Sequence, residues 1–200
     1  MLDKTKKEKI MNASLEEFSE YGFDKASTDR ISQRAGVSKG LIFHYFGSKE
    51  NLYMTTMNSC VDDVLHEFNN VEFIEKDIIS KLMKVMKVKY DFFIKHPLHY
   101  KLMINGFYDS PKKLKKKLEH RYVELKQVSY DYIVDMIEEL SVKQGISVED
   151  IVTLIASVTS VVEGKYINLI TNETSTFECY DEVKEEYIRL MNIVMYGILQ

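Results

Sequence analysis

Between Thr28 and Leu52 the chain reads TDRISQRAGVSKGLIFHYFGSKENL. Its most telling reactive group is Lys39, an ammonium within reach of bases or phosphate if it stands at the exposed amino end of a helix. The neighbouring residues supply that helix. Ser38 can cap it by accepting a hydrogen bond from an otherwise unsatisfied backbone N–H. Gly36 suits the turn before it, because positive φ is cheap only without a Cβ. Ile31, Ala35, Val37 and Ile42 provide apolar contacts to hold two short helices at a fixed angle. A short helix, a tight turn and a second short helix form a device that sets the amino end of the second helix into the DNA major groove.

Covalent chemistry has no comparable support. The chain contains no GxGxxG, GxxxxGK[ST], GxSxG or HExxH pattern, so no phosphate loop, nucleophile elbow or zinc-helix motif is present. His96 and His99 lie three apart, but Pro97 separates them and no neighbouring ligands complete the four that a structural metal site needs. Cys60 and Cys179 read as packed, reduced thiols. Neither a metal nor a cofactor is expected, and the chain reads as a non-enzyme. Lys112, Lys113, Lys115, Lys116 and Lys117 form the densest basic run. Charge runs on helix surfaces are usually solvated, and that is the expectation here.

The bulk properties permit this reading without carrying it. In 200 residues there are 2 Pro and 8 Gly, with 45% hydrophobic and 29% charged residues, which favours long helices in a globular chain. Net charge is −4. Residues 1–50 hold 9 Lys+Arg against 8 Asp+Glu, net +1, while residues 51–200 hold 18 against 23, net −5. No signal-peptide pattern or membrane-length apolar run appears, so a cytoplasmic location without a membrane partner is expected.

The positioning elements are read as about nine helices in an all-α fold. Thr5 with Glu8 has capping-box spacing and opens the first, which Gly22 ends. Thr28 starts the second, Ser38 caps the third and Ser48 the fourth, which runs through Phe68. Asp77 opens the fifth, and Pro97 suits the first turn of the sixth. Ser110-Pro111 reads as the start of the seventh, with Ser as cap and Pro at the first position, running to about Lys143. Ser147 with Asp150 opens the eighth, to about Ile170, and Ser175 with Glu178 the ninth. Residues 1–47 form the head that carries the helix-turn-helix, residues 48–70 a bridging helix, and residues 71–200 a body of helical-bundle type.

This layout resembles the TetR family of bacterial transcriptional regulators. The resemblance is densest from Phe18 to Leu52: Phe18 with Gly22-Phe23, Thr28 with Ile31, Ala35-Gly36-Val37-Ser38-Lys39-Gly40, and Tyr45-Phe46 with Lys49-Glu50 and Leu52. It implies a homodimer that sets its third helices into a palindromic operator in double-stranded DNA. For residues 71–200 it implies ligand binding and dimerisation: the last two helices would pair across the dimer, and a small molecule in the body would shift the heads apart. By the same resemblance Thr28, Tyr45 and Lys49 meet phosphates, and His44 faces base or backbone. Ser38, Lys39 and Gly40 lie at the amino end of the third helix, where Gly40 lets the DNA come close. Phe43 stands where the family often has Tyr; ring packing or thymine-methyl contact remains to it. Ser32 stands where a small apolar residue is common.

The body speaks less clearly. Phe92, Phe93, Tyr100, Met103, Phe107, Tyr108, Tyr122 and Tyr166 can line an adaptable apolar cavity or simply fill the core. Glu163 interrupts an apolar helix, where it pairs with a lysine, faces solvent or anchors a ligand. Ala156, Ser160 and Gly164 recur every four residues as a seam for close helix approach. With Tyr187, Leu190, Met191, Val194, Met195 and Ile198 they form the expected dimer interface. The leading expectation is a repressor released by a small apolar or amphipathic ligand. The alternative is a regulator without an effector, whose body serves dimerisation alone.

Overall fold

The computed structural model describes the backbone of residues 2–171 and 178–198, and the side chains of residues 5–165 and 181–197. The described chain is all-α: α1 Leu2–Lys25, α2 Thr28–Ala35, α3 Lys39–Phe46, α4 Lys49–Asn69, α5 Ile78–Lys95, α6 Pro97–Tyr108, α7 Lys115–Glu138, α8 Val148–Thr171 and α9 Glu178–Ile198. Ser175 and the side chains of Tyr166, Cys179 and Ile198 lie outside the described residues.

Most helix starts follow the side chains that satisfy their first N–H groups. Ser48 accepts from Asn51 N at 3.0 Å, and Asp77 Oδ1 from Ser80 N at 2.8 Å. Ser147 and Asp150 form a reciprocal box: Ser147 Oγ accepts from Asp150 N at 3.1 Å, and Asp150 Oδ2 accepts from Ser147 N at 3.2 Å. Two starts differ from the sequence expectation. α1 begins at Leu2, ahead of Thr5, and is interrupted rather than ended by Gly22, whose φ of 66° breaks the helical geometry before Lys25. α7 begins at Lys115, not at Ser110-Pro111, because Ser110 Oγ donates back to the Gly106 carbonyl of α6 at 2.5 Å instead of capping forward. It also ends at Glu138, short of Lys143.

The chain resolves into two compact units. One comprises Met1–Val71 and Val88–Lys126, the other Glu72–Lys87 and Gln127–Gln200. In the first, α1 packs on α2, α4 and α6. Its core joins Ile10, Phe18, Ile31, Ile42, Leu52, Tyr53, Met57 and Leu102. Phe18 and Phe23 both set their rings edge-on to Tyr53, at 4.9 and 5.2 Å. Full burial of each such side chain is worth about 1.5–3 kcal/mol, so the head's short helices depend on this shared core rather than on their own propensity. In the second unit α8 packs on α9, around Ile151, Ile155, Val162, Tyr187, Met191 and Met195.

Candidate nucleic-acid interface

The turn between α2 and α3 is built as its sequence demands. Gly36 takes the left-handed conformation, φ 64°, and its N–H closes α2 on Gln33 and Ser32 carbonyls. Ser38 is the N-cap of α3 and accepts from Leu41 N at 3.3 Å. Gly47, φ 74°, stops α3 by donating to the Phe43 carbonyl. Ile42 and Phe46 turn into the core. Lys39, Gly40, Phe43 and His44 are exposed, so they share the opposite face of α3.

Electrostatics on that face are partly compensated. Lys39 Nζ lies 2.9 Å from Asp29 Oδ2, tying the first turn of α3 to α2. Gly40 has only Ser38 Oγ, at 4.0 Å, near the place a Cβ would take. The Phe43 ring is 39% exposed, an apolar surface where the resemblance would often have a hydroxyl. Tyr45 is half-buried and packs edge-on between His44 and Phe46, at 5.6 and 6.3 Å. Thr28 is buried at the start of α2, behind the capping Ser27. Lys49 Nζ donates to the Asp24 carbonyl at 3.3 Å and sits 4.9 Å over the Phe23 ring. Burial holds its pKa below the ordinary value, although Asp24 and Glu17 pull it upward. A phosphate at Lys49 therefore competes with an existing backbone partner.

Sequence reading missed the residue that sets α2 against α1. The Glu17 side chain is wholly buried. It accepts from Ser27 N at 2.8 Å and from Arg30 Nε at 2.8 Å, with Arg30 Nη2 at 2.5 Å and Arg34 Nη1 at 3.7 Å. Burial alone would push its pKa up. The Arg30 and Ser27 hydrogen bonds and the nearby Arg34 outweigh that, and the carboxyl stays below its ordinary value. Arg30 also donates to the Lys25 carbonyl at 3.0 Å and lies 4.4 Å over the Tyr21 ring. This clasp fixes the start of α2 and hence the helix pair above it.

Residues 10–54, which span this pair and its support, match the family described as "Bacterial regulatory proteins, tetR family". This segment is a TetR-family helix-turn-helix region. Over 57 residues it is 40% identical to the transcriptional regulator RutR of Escherichia coli, a match covering 28% of this chain and 27% of RutR. Over 99 residues it is 27% identical to the transcriptional activator FasR of Mycolicibacterium smegmatis, covering 50% and 45%. The chain thus matches less than half the length of these relatives. A TetR-like regulator of Rhodococcus shares the fold at TM-score 0.71 and 15% identity, over 94% of this chain and 96% of that one. The family is one of transcriptional regulators, not enzymes, and its helix-turn-helix is a DNA-binding element.

Outside the TetR head, the expected body residues separate. Phe92, Phe93, Tyr100, Met103, Phe107 and Tyr122 belong to the first unit, Glu163 to the second. Phe92–Phe93, Phe93–Tyr100 and Phe107–Tyr122 rings pack at 5.4, 5.2 and 5.0 Å. None of them lines either of two open grooves among the described residues. One, of about 740 Å³, lies between α4 and α7 beside Met54, Asn58, Asp62, Lys116, Lys117, His120, Arg121 and Glu124. The other, of about 670 Å³, lies in the second unit beside Asp77, Met83, Lys184 and Ile188.

On α9, Tyr187, Met191 and Met195 turn inward onto the core of the second unit, and Tyr187 shares a 3.1 Å hydrogen bond with Thr159. Leu190, Val194 and Gly164 are half-buried, while Ala156 and Ser160 are exposed. Among the described residues of α8 and α9 the large outward apolar side chains are Val148, Leu154, Val161, Ile193 at 65% and Tyr196 at 79% exposure. On α9 they sit off the series Tyr187, Met191 and Met195, which faces inward, whereas Ala156 and Ser160 of the α8 stripe face outward. Elsewhere, His99 Nε2 pairs with Asp63 at 3.0 Å. The Cys60 thiol is buried, which pushes its pKa up to about 12; a thiolate is scarce there at neutral pH. No helix among the described residues is long and apolar enough to cross a membrane.

Proposed function

We propose that the protein is a cytoplasmic TetR-family repressor that binds a palindromic operator as a homodimer and leaves it when a small apolar or amphipathic ligand binds. Residues 1–47 bind DNA, residues 48–70 bridge, and residues 71–200 carry the effector and dimer functions. The observation that supports this best is the outward face of α3: Lys39, Gly40, Phe43 and His44 exposed together over a rigid, capped turn. Ser38 and Tyr45 flank that face, while Thr28 and Lys49 contribute phosphate contacts at the starts of α2 and α4. The exposed apolar side chains of α8 and α9, with Ala156 and Ser160 among them, support self-association, which supplies the two-fold symmetry that paired half-sites require.

Lys39→Ala is the test. Operator selection from random duplexes should yield one motif for the wild type and a motif with relaxed preference at one position per half-site for the variant, as loss of a base-reading cation predicts. An identical motif would confine Lys39 to phosphate.

One observation favours a second reading, in which the body serves dimerisation and senses nothing. The rings of Phe92, Phe93 and Tyr100 fill one another's contact surface, as a closed core does. A screen for ligand-raised melting temperature separates the two readings, since a ligand that binds only the native state must stabilise it.

A further inference from the structure

We propose that the lysine run ahead of and within the first turn of α7 is a second, sequence-independent contact to operator DNA, gripping phosphates that flank the bases faced by α3. The proposal rests on the DNA-binding reading above and extends its footprint to a segment outside the helix-turn-helix.

Three observations carry it. First, the run is held in place. Pro111, Leu114 and Leu118 are buried in the first unit, and the Leu114 N–H donates to the Pro111 carbonyl at 2.8 Å. Lys112, Lys113, Lys115, Lys116 and Lys117 are therefore fixed outward, and all are exposed. Second, most of their charge is uncompensated. Lys117 pairs with Glu50 at 2.8 Å and Lys115 lies 3.8 Å from Glu119. Among the described residues Lys112, Lys113 and Lys116 have no carboxylate partner. Cations at a helix amino end oppose the helix dipole and repel one another, so the fold gains nothing from them. A local choice that works against the fold marks a functional constraint.

Third, the run lies on the correct side of the molecule. Glu50 belongs to the first turn of α4, next to Lys49 and four residues after the end of α3. Further along α7, Arg121 pairs with Asp62, three turns up α4. The two pairs give α7 the same sense as α4. Lys112, Lys113 and Lys116, upstream of Lys117, thus lie toward the amino end of α4, the end that adjoins the recognition helix. A polyanion seated on α3 passes nearest to this end, and each lysine that reaches a phosphate releases counterions.

The experiment uses the full chain and two duplexes carrying the same selected operator, one trimmed to the motif and one extended by a helical turn on each side. The triple variant Lys112→Ala, Lys113→Ala, Lys116→Ala is compared with the wild type by fluorescence anisotropy over a salt series. On the long duplex the slope of log Kd against log salt should fall by roughly 0.9 for each lost contact, two to three per protomer and about twice that for the dimer. The selected motif and the melting temperature should not change, and on the trimmed duplex the two proteins should coincide. Equal slopes on the long duplex overturn the proposal while leaving the regulator reading intact, and assign the lysines to solvent or to a partner other than DNA. A wild type that selects no duplex overturns both.

Discussion

At the scale of single residues, the head depends on a carboxylate that no motif marks. Glu17 lies on α1 beside Glu16 and three residues before Glu20, where a glutamate reads as surface, and its partners stand ten and thirteen positions further along. Only the packing of α2 against α1 brings Ser27 N and Arg30 to it. By contrast Gly36 and Ser38 were legible, because their roles are local: a positive φ and a cap bond three residues ahead. The depressed Glu17 pKa has a definite consequence. The folded head binds fewer protons at this group than the unfolded chain, so its contribution is complete above the usual carboxylate range and is lost as pH falls through it. Glu17→Ala should cost about 2 kcal/mol at neutral pH, since it strands the Ser27 N–H and two arginine contacts. Glu17→Gln should cost less and flatten the loss of stability between about pH 5 and pH 3. Urea unfolding at several pH values reads both effects. A Gln variant with the wild-type acid profile would remove Glu17 from the acid response.

At the scale of elements, caps predicted helix starts well and packing decided where they failed. Ser48, Asp77 and the Ser147–Asp150 box each satisfy N–H groups within three residues, information the sequence holds in full. Ser110 has the right type and spacing for a cap, yet its hydroxyl goes back to α6, and that choice follows from where α6 ends. α6 itself shows a second kind of packing information. Gly106 is buried against α4, where an added Cβ would overlap the Met57 methyl and lie 3.0 Å from Tyr53 Oη. Alanine improves helix propensity by about 1 kcal/mol, but overpacking typically costs about 1–3 kcal/mol. Gly106→Ala should therefore destabilise the protein by about 1 kcal/mol. Because the obstructing Met57 atom is the far end of a flexible side chain, the penalty should shrink when Met57 is first shortened. A double-mutant cycle with Met57→Ala should show a favourable coupling of about 1 kcal/mol, measured by thermal or urea unfolding. Additive single effects would mean that α6 and α4 slide apart instead.

At the scale of the whole molecule, the question is what covers the outer faces of α8 and α9. Ile193 at 65% and Tyr196 at 79% exposure contribute little to the fold of one chain, since water still reaches most of each side chain. Their inward neighbours Met191 and Met195 are buried within the protomer. The two sets differ in what a polar substitution should do. Met191→Asp places a carboxylate in the core and should unfold the second unit. Ile193→Asp places one on a surface where it is hydrated in a monomer and stranded in a dimer. Ile193→Asp should leave the melting temperature of a dilute sample nearly unchanged and convert a dimer to a monomer in sedimentation velocity. Operator binding should follow. A dimer docks two heads on half-sites one helical turn or a multiple apart, and the second head binds at an effective concentration set by the first, worth about 10²–10⁴-fold in affinity. The monomer forfeits that gain, so the affinity of Ile193→Asp for a full palindrome should fall toward its affinity for a single half-site. A variant that sediments as a dimer, or that still distinguishes a palindrome from a half-site as strongly as the wild type, would move the pairing surface away from the outer face of α9.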